Sequence, residues 1–190
     1  MSMILLLSAA AVASQSALSP EVGLAIVFVL VLANGFFVAA EFALVAVRRS
    51  RIDQLAEAGD SRAQTVQAAL KHLDRYISGT HVGITLSSLA LGWLGEPALA
   101  ALMDRALAAI GIAAPSAAVH SAAAITTAFI IITFLHIVLG ELAPKSIALT
   151  KPEAVSKLVA RPLMLFSTLA YPAIWVLNGM ANLLLRMLRI

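Results

Sequence analysis

Cysteine is absent from the 190 residues, which removes disulfide scaffolds, thiol nucleophiles and thiolate metal sites together. Charge is scarce as well. Only 12% of residues are Asp, Glu, Lys or Arg, whereas a typical soluble domain carries about a quarter. So few charged groups cannot cover a water-facing surface, and ordinary soluble folds are excluded. Prolines number 7 and no Gly-X-Y period occurs, which excludes collagen-like and proline-rich chains. What the chain does contain is apolar: 61% hydrophobic residues with a mean hydropathy of +0.96. That composition places it in a membrane and excludes disorder. A formal net charge of +3 and a pI near 9.7 do not point to nucleic acid. The basic residues lie beside apolar runs instead of forming a basic face, so they read as topology signals.

Crossing the hydrocarbon takes about 20 mostly apolar residues in a helix. The clear stretches run from about Val22 to Val47, Tyr76 to Leu94 and Ser121 to Leu142, with a fourth from about Pro162 to Leu188 that contains Pro172. None alternates as a barrel strand does, so the expected fold is an all-α membrane protein. Residues 1–19 have a short apolar core but lack the positive start of a signal peptide, and they read as a non-cytoplasmic N-terminal tail, with a cleaved signal-like segment as the alternative. Residues 20–190 form the membrane domain.

Arg48, Arg49 and Arg51 follow the first span, and Glu21 is the only charge before it. The N-terminus is therefore expected outside. Between Ser50 and Arg75 the apolar residues Ile52, Leu55, Ala56, Val66 and Leu70 recur at helical spacing, as in cytoplasmic helices lying near the bilayer. Glu96, Pro97 and Asp104 begin an outer loop that includes the helix-breaking run Gly111 to Pro115. Lys145, Lys151, Lys157 and Arg161 then mark the cytoplasmic side again. The fourth stretch has basic residues at both flanks and Pro172 inside, so a bent, belt-like helix pair within residues 150–190 is favoured over the alternative of a fourth crossing. The C-terminus is expected in the cytoplasm.

Polar groups inside spans are costly and mark function or packing. In the first span, Asn34 and Glu41 are about two turns apart on one face. Asn34 reads first as an interhelical hydrogen bond; Glu41 reads either as a functional carboxylate or as a partner of Arg48 or Arg49. In the second span, His81, Thr85, Ser88 and Gly92 lie on one stripe, and Gly79, Gly83 and Ser87 add small residues. Such a stripe is first a packing seam, with Gly92 as a close-approach position.

The third span ends His136-Ile137-Val138-Leu139-Gly140-Glu141-Leu142-Ala143-Pro144-Lys145. Pro144 has no N–H, so the Gly140 carbonyl loses its helical partner. A bare carbonyl beside a carboxylate suits a hard cation, and oxygen-only ligands favour Mg²⁺, Ca²⁺ or Na⁺ over zinc or copper. Lys145, four residues after Glu141, is also placed to neutralise it as a helical ion pair.

Three stretches carry a family resemblance: Asn34 to Leu44 (NGFFVAAEFAL), Gly83 to Gly92 (GITLSSLALG) and Gly140 to Lys145 (GELAPK). Together they resemble the transmembrane domain of the CNNM/CorC magnesium transport proteins. The resemblance implies a homodimer in the lipid bilayer, each copy with three transmembrane helices and a juxtamembrane helical belt, exporting Mg²⁺ with Na⁺ as the coupling ion. It implies metal ligation by Glu141 and the Gly140 carbonyl; Ser88, Ser87 and Thr85 on the second span are read beside them as sources of secondary or water-mediated oxygens. Pro144 and Lys145 serve as helix break and gate, and Asn34 and Glu41 stand as secondary candidates. Where many members have serines before the first-helix carboxylate, this chain has Val38, Ala39 and Ala40; where many have asparagines, it has Ile84 and Ser88. Ser88 still offers an oxygen, while Ile84 and Ala40 do not. The family's CBS domains, which bind adenine nucleotide, have no counterpart within these residues.

Two further readings differ in class. A carboxylate with few rigid oxygen ligands also suits a polyamine such as putrescine or cadaverine as exported cargo. Alternatively, the polar stripes are packing glue in a membrane scaffold or regulatory subunit. Enzyme activity is not expected, because no HExxH helix and no nucleophile elbow occurs.

Overall fold

The computed structural model describes residues 19–109 and 117–187, and every regular element among them is helical. The N-terminal tail and the run Gly111 to Pro115 lie outside the described residues. In chain order the helices are α1 (Pro20–Ala46), α2 (Arg49–Glu57), α3 (Ser61–Leu70), α4 (Leu73–Ala109) and α5 (Ala117–Leu135). A π-helical segment (His136–Leu142) follows, and then α6 (Ala143–Thr150), α7 (Pro152–Leu169) and α8 (Tyr171–Met187).

Among the described residues, two helical stretches are long and apolar enough to cross a membrane: Glu21–Ala46, of 26 residues and mean hydropathy 2.6, and Thr126–Thr150, of 25 residues and mean hydropathy 1.9. The second runs straight through Pro144, eight residues beyond the expected end of the third span at Leu142. The expected second span lies inside α4, a helix of 37 residues. Pro152–Leu169 and Tyr171–Met180, bent by 74° at their junction, pass the same test only when taken together as one span. The bend expected in the fourth stretch is present, but it falls at Ala170, between the helices. Pro172 sits in the first turn of α8, where a missing N–H costs nothing.

The chain divides into two compact units, residues 1–32 with 87–137 and residues 33–86 with 138–190. In the first, Val27, Val31, Leu91 and Ile132 form a small apolar core. Gly23 lies against Ala98, where an added Cβ would fall 2.6 Å from the Ala98 Cβ.

In the second unit the helices outside the long apolar runs pack as amphipathic layers. Helix α2 buries Ile52 and Ala56, and α3 buries Ala63, Val66, Ala69 and Leu70. Helix α7 buries Val155, Ser156, Val159, Ala160 and Leu163 on one stripe, the spacing that places residues on a single helix face. Helix α3 packs on both α2 and α7. Gly59, at φ 93°, takes the left-handed conformation that closes α2. Asp60 then caps α3, accepting from the backbone N–H groups of Arg62 and Ala63 at 2.9 and 3.1 Å. Its other oxygen takes a hydrogen bond from Lys157 Nζ at 3.1 Å, which ties α7 to the cap.

The Ala63 N–H, then Lys157 and the Arg62 N–H, hold the Asp60 carboxyl below the usual aspartate range. A depressed folded pKa stabilises the fold above the unfolded pKa, and this contribution is lost as pH falls through the folded value. Asp60→Ala is therefore expected to lower the melting temperature at neutral pH, and the gap between parent and variant to close below about pH 4. A gap of unchanged size at pH 3 would show that the carboxylate charge does not matter.

Candidate functional site

The third apolar stretch does not break at Pro144. It widens. Residues 136–142 adopt π-helical turns before α-helix resumes at Ala143. A wider turn relieves the clash between a proline ring and the carbonyl of the preceding turn, and such insertions recur at functional sites. The Gly140 carbonyl, expected to be bare, accepts a hydrogen bond from Asn34 Nδ2 at 2.9 Å. Both residues are buried, Asn34 to 1% exposure. Asn34 thus makes the interhelical hydrogen bond read from the sequence, and its partner is the carbonyl that proline sets loose. Gly35 permits the approach, because a Cβ there would fall 2.9 Å from Pro144 Cγ and 3.2 Å from the Leu139 carbonyl oxygen. The signal for this contact was the Asn34-Gly35 pair: a hydrogen-bonding side chain beside a residue that lets backbones close.

Glu141, next to this carbonyl, is exposed on the single chain. Its expected neutralisation by Lys145 does not occur: no ion pair joins them, and the Lys145 ammonium lies 4.5 Å from the Phe42 ring centroid. A cation over an aromatic face is favourable, and this contact draws the lysine away from the carboxylate. Glu41 is not paired with Arg48 or Arg49 either. Its Oε1 lies 3.6 Å from Nδ1 of His81, so α1 and α4 meet through a carboxylate and an imidazole.

The stripe on α4 separates into different surroundings. His81 and Thr85 line a groove against α8. Ser87 is buried, and Ser88 Oγ lies 3.4 Å from His136 Nε2. Gly92 is not a close-approach position, since an added Cβ would meet nothing within 4 Å. That role falls to Gly83, whose Cβ would strike the Phe37 ring, and to Gly79 against Ser167. Ala40 and Ile84, where the family resemblance leads one to look for oxygen donors, join the apolar core instead. Among the described residues no group of three or more His, Asp or Glu side chains could hold a metal. Of the expected ligands, Gly140 and Glu141 lie together in the chain within the second unit, which also contains Thr85; Ser87 and Ser88 belong to the first.

Long apolar helices, a π-turn with a buried asparagine on its free carbonyl, and a carboxylate beside it define a polytopic α-helical membrane protein. The chain belongs to the CNNM family: residues 25–190 match the Cyclin M transmembrane N-terminal domain. It is 47% identical over 161 residues to the UPF0053 protein YhdT of Bacillus subtilis, covering 85% of this chain and 34% of the relative. To YugS of the same organism it is 45% identical over 161 residues, with 85% and 37% covered. To the uncharacterised protein Rv1841c of Mycobacterium tuberculosis it is 41% identical over 155 residues, with 82% and 43% covered. The chain therefore spans roughly a third to two-fifths of the length of the curated relatives it matches.

Proposed function

We propose that the chain exports Mg²⁺ across the cell membrane by alternating access, with Na⁺ as the coupling ion, and that it works as a homodimer with its N-terminus outside. The observation that carries this reading is the Gly140–Glu141 turn: a carboxylate beside a backbone carbonyl whose position Asn34 fixes. A carbonyl oxygen has two lone pairs, so the bond from Asn34 leaves one for a cation. Mg²⁺ takes oxygen ligands and keeps several of its waters, which suits a site with few protein donors. The exposure of Glu141 on the single chain supports the dimer, because a carboxylate at membrane depth is tolerated against protein or a water-filled cavity rather than lipid. The arginines after α1 support the orientation.

Reconstitution tests it. Proteoliposomes loaded with Mg²⁺ are expected to release it when Na⁺ is supplied on the opposite face and to retain it when choline replaces Na⁺. Putrescine in excess should leave the release unchanged. Putrescine movement without Mg²⁺ movement would establish the polyamine reading, and no flux of either would establish the scaffold.

A further inference from the structure

Within the second unit, α4 and α8 line a groove of about 630 Å³, which of the expected ion ligands only Thr85 borders. That volume falls in the range of small-molecule sites. Ile77, Val82 and Leu86 form one wall and Ile174 and Leu177 the other. From Ile77 to Leu86 the groove follows α4 for about 13 Å, at 1.5 Å per residue. Its polar groups are confined to Ser78, His81 and Thr85 on α4 and Asn178 on α8, with Ser78 Oγ 3.3 Å from the Asn178 amide oxygen.

At the start of α4, two residues before Ile77, stands Arg75. Its guanidinium lies 5.0 Å from the Tyr171 ring centroid and 6.0 Å from that of Tyr76. Among the described residues no carboxylate pairs with it, and its Nε is buried without a hydrogen-bond partner. Stacking on aromatic rings orients a guanidinium without consuming its N–H donors, and a planar fork of free donors is the arrangement that recognises phosphate. Nε itself is shielded from outside, so an anion from outside the chain would be met by the terminal amino groups of this part-buried arginine.

We infer that this groove binds one anionic phospholipid, with its phosphate on Arg75 and an acyl chain between α4 and α8. Asn178, Ser78 and His81 lie one to two turns further along, where the glycerol esters of such a lipid would offer carbonyl acceptors. Charge argues against a second copy as occupant. Neither groove wall, 77–86 nor 173–178, carries Asp or Glu. A two-fold contact through these walls, which pairs a patch with itself, would bring no acid from either wall to Arg75; the acid next to it in the chain is the exposed Asp74.

The test uses the full chain purified in detergent. Dioleoylphosphatidylglycerol is expected to raise the thermal unfolding midpoint by about 5 °C at saturation, while dioleoylphosphatidylcholine and glycerol 3-phosphate leave it unchanged. Arg75→Gln should abolish the shift and Arg75→Lys should retain part of it. Ala173→Trp, which fills the groove at an exposed position, should abolish it with the arginine intact. Native mass spectrometry should count one phosphatidylglycerol per chain in the parent and none in Arg75→Gln, a readout that stands even if the variant's midpoint moves. Equal shifts from both lipids, or a shift surviving Arg75→Gln, would reduce the groove to ordinary lipid contact and overturn the inference. A shift from glycerol 3-phosphate alone would make it a free-anion site. Loss of dimers in Ala173→Trp with phosphatidylglycerol binding intact would make it an interface between copies.

Discussion

Glu141→Gln is expected to cut Mg²⁺ release from proteoliposomes by at least about 100-fold while leaving the melting temperature in detergent near that of the parent. The two readouts separate because Glu141 is exposed on the single chain and glutamine keeps its shape where the proposed partner copy covers it, so packing is preserved and the stability change stays within about 0.5 kcal/mol. Its charge is another matter. A unit charge pair 4 Å apart at an effective dielectric of about 20 is worth about 4 kcal/mol, and a divalent ion meets the carboxylate with twice the charge. Losing even about 3 kcal/mol of that attraction corresponds to roughly 100-fold, at 1.4 kcal/mol per tenfold. Glutamine retains the shape and one oxygen, so a surviving parental flux would remove Glu141 from the ion path. A flux lost together with the fold would make Glu141 structural.

Asn34→Leu should have the largest effect on stability. The side chain is 1% exposed and donates to the Gly140 carbonyl at 2.9 Å. Leucine has the same branching and number of side-chain heavy atoms but cannot donate, so the carbonyl loses this partner inside the unit, and its bulkier methyl groups add overpacking. An unsatisfied buried acceptor costs about 1–3 kcal/mol. For a chain of this size that lowers the melting temperature by about 2–4 °C per kcal/mol. Transport should fall as well, because Asn34 positions the carbonyl beside Glu141. Asn34→Asp is expected to be worse, since it sets a carboxylate against a carbonyl with no proton between them. If Asn34→Leu melts with the parent and carries Mg²⁺ at the parental rate, the hydrogen bond does not organise the turn.

The particular residues differ in how legible they were before any fold was known. Asn34 read as an interhelical donor because a lone amide in an apolar stretch has few other uses, and the structure places it in that role. Pro144 read as a source of a free carbonyl at Gly140, because the missing N–H is a covalent fact. The number of residues the helix would add to absorb that proline could not be read: a π-turn and a break both follow from the same missing donor, and neighbouring packing chooses between them. Gly92 read as a contact point by spacing alone and faces open space, whereas Gly83 and Gly79 on the same helix meet Phe37 and Ser167. Periodicity assigns a residue to a face of a helix but does not say which face meets another helix.

The ionic partners illustrate the limit most clearly. Local rules paired Glu141 with Lys145 and Glu41 with the arginines that follow it. The fold instead sets Lys145 over Phe42 and Glu41 beside His81. Helical spacing proposes neighbours within one or two turns, where a long lysine side chain has several equivalent choices. An aromatic ring or an imidazole brought in from another helix decides among them. Arg75 is the same case in reverse: nothing in its sequence neighbourhood distinguishes it from a topology signal until Tyr171, 96 residues away, closes over it.

By itself the sequence determined the class. Scarce charge, absent cysteine and long apolar runs leave only a helical membrane protein, because backbone polar groups in lipid must be satisfied within each segment, and composition alone registers that demand. It also determined the family, through short motifs whose residues are all present in one chain. The tertiary structure alone decided which polar groups meet: Asn34 with the Gly140 carbonyl, Glu41 with His81, Arg75 with two tyrosines. Those pairings are set by helix packing over large sequence separations, and a hydrogen bond or cation–π contact depends on ångströms that no local pattern encodes.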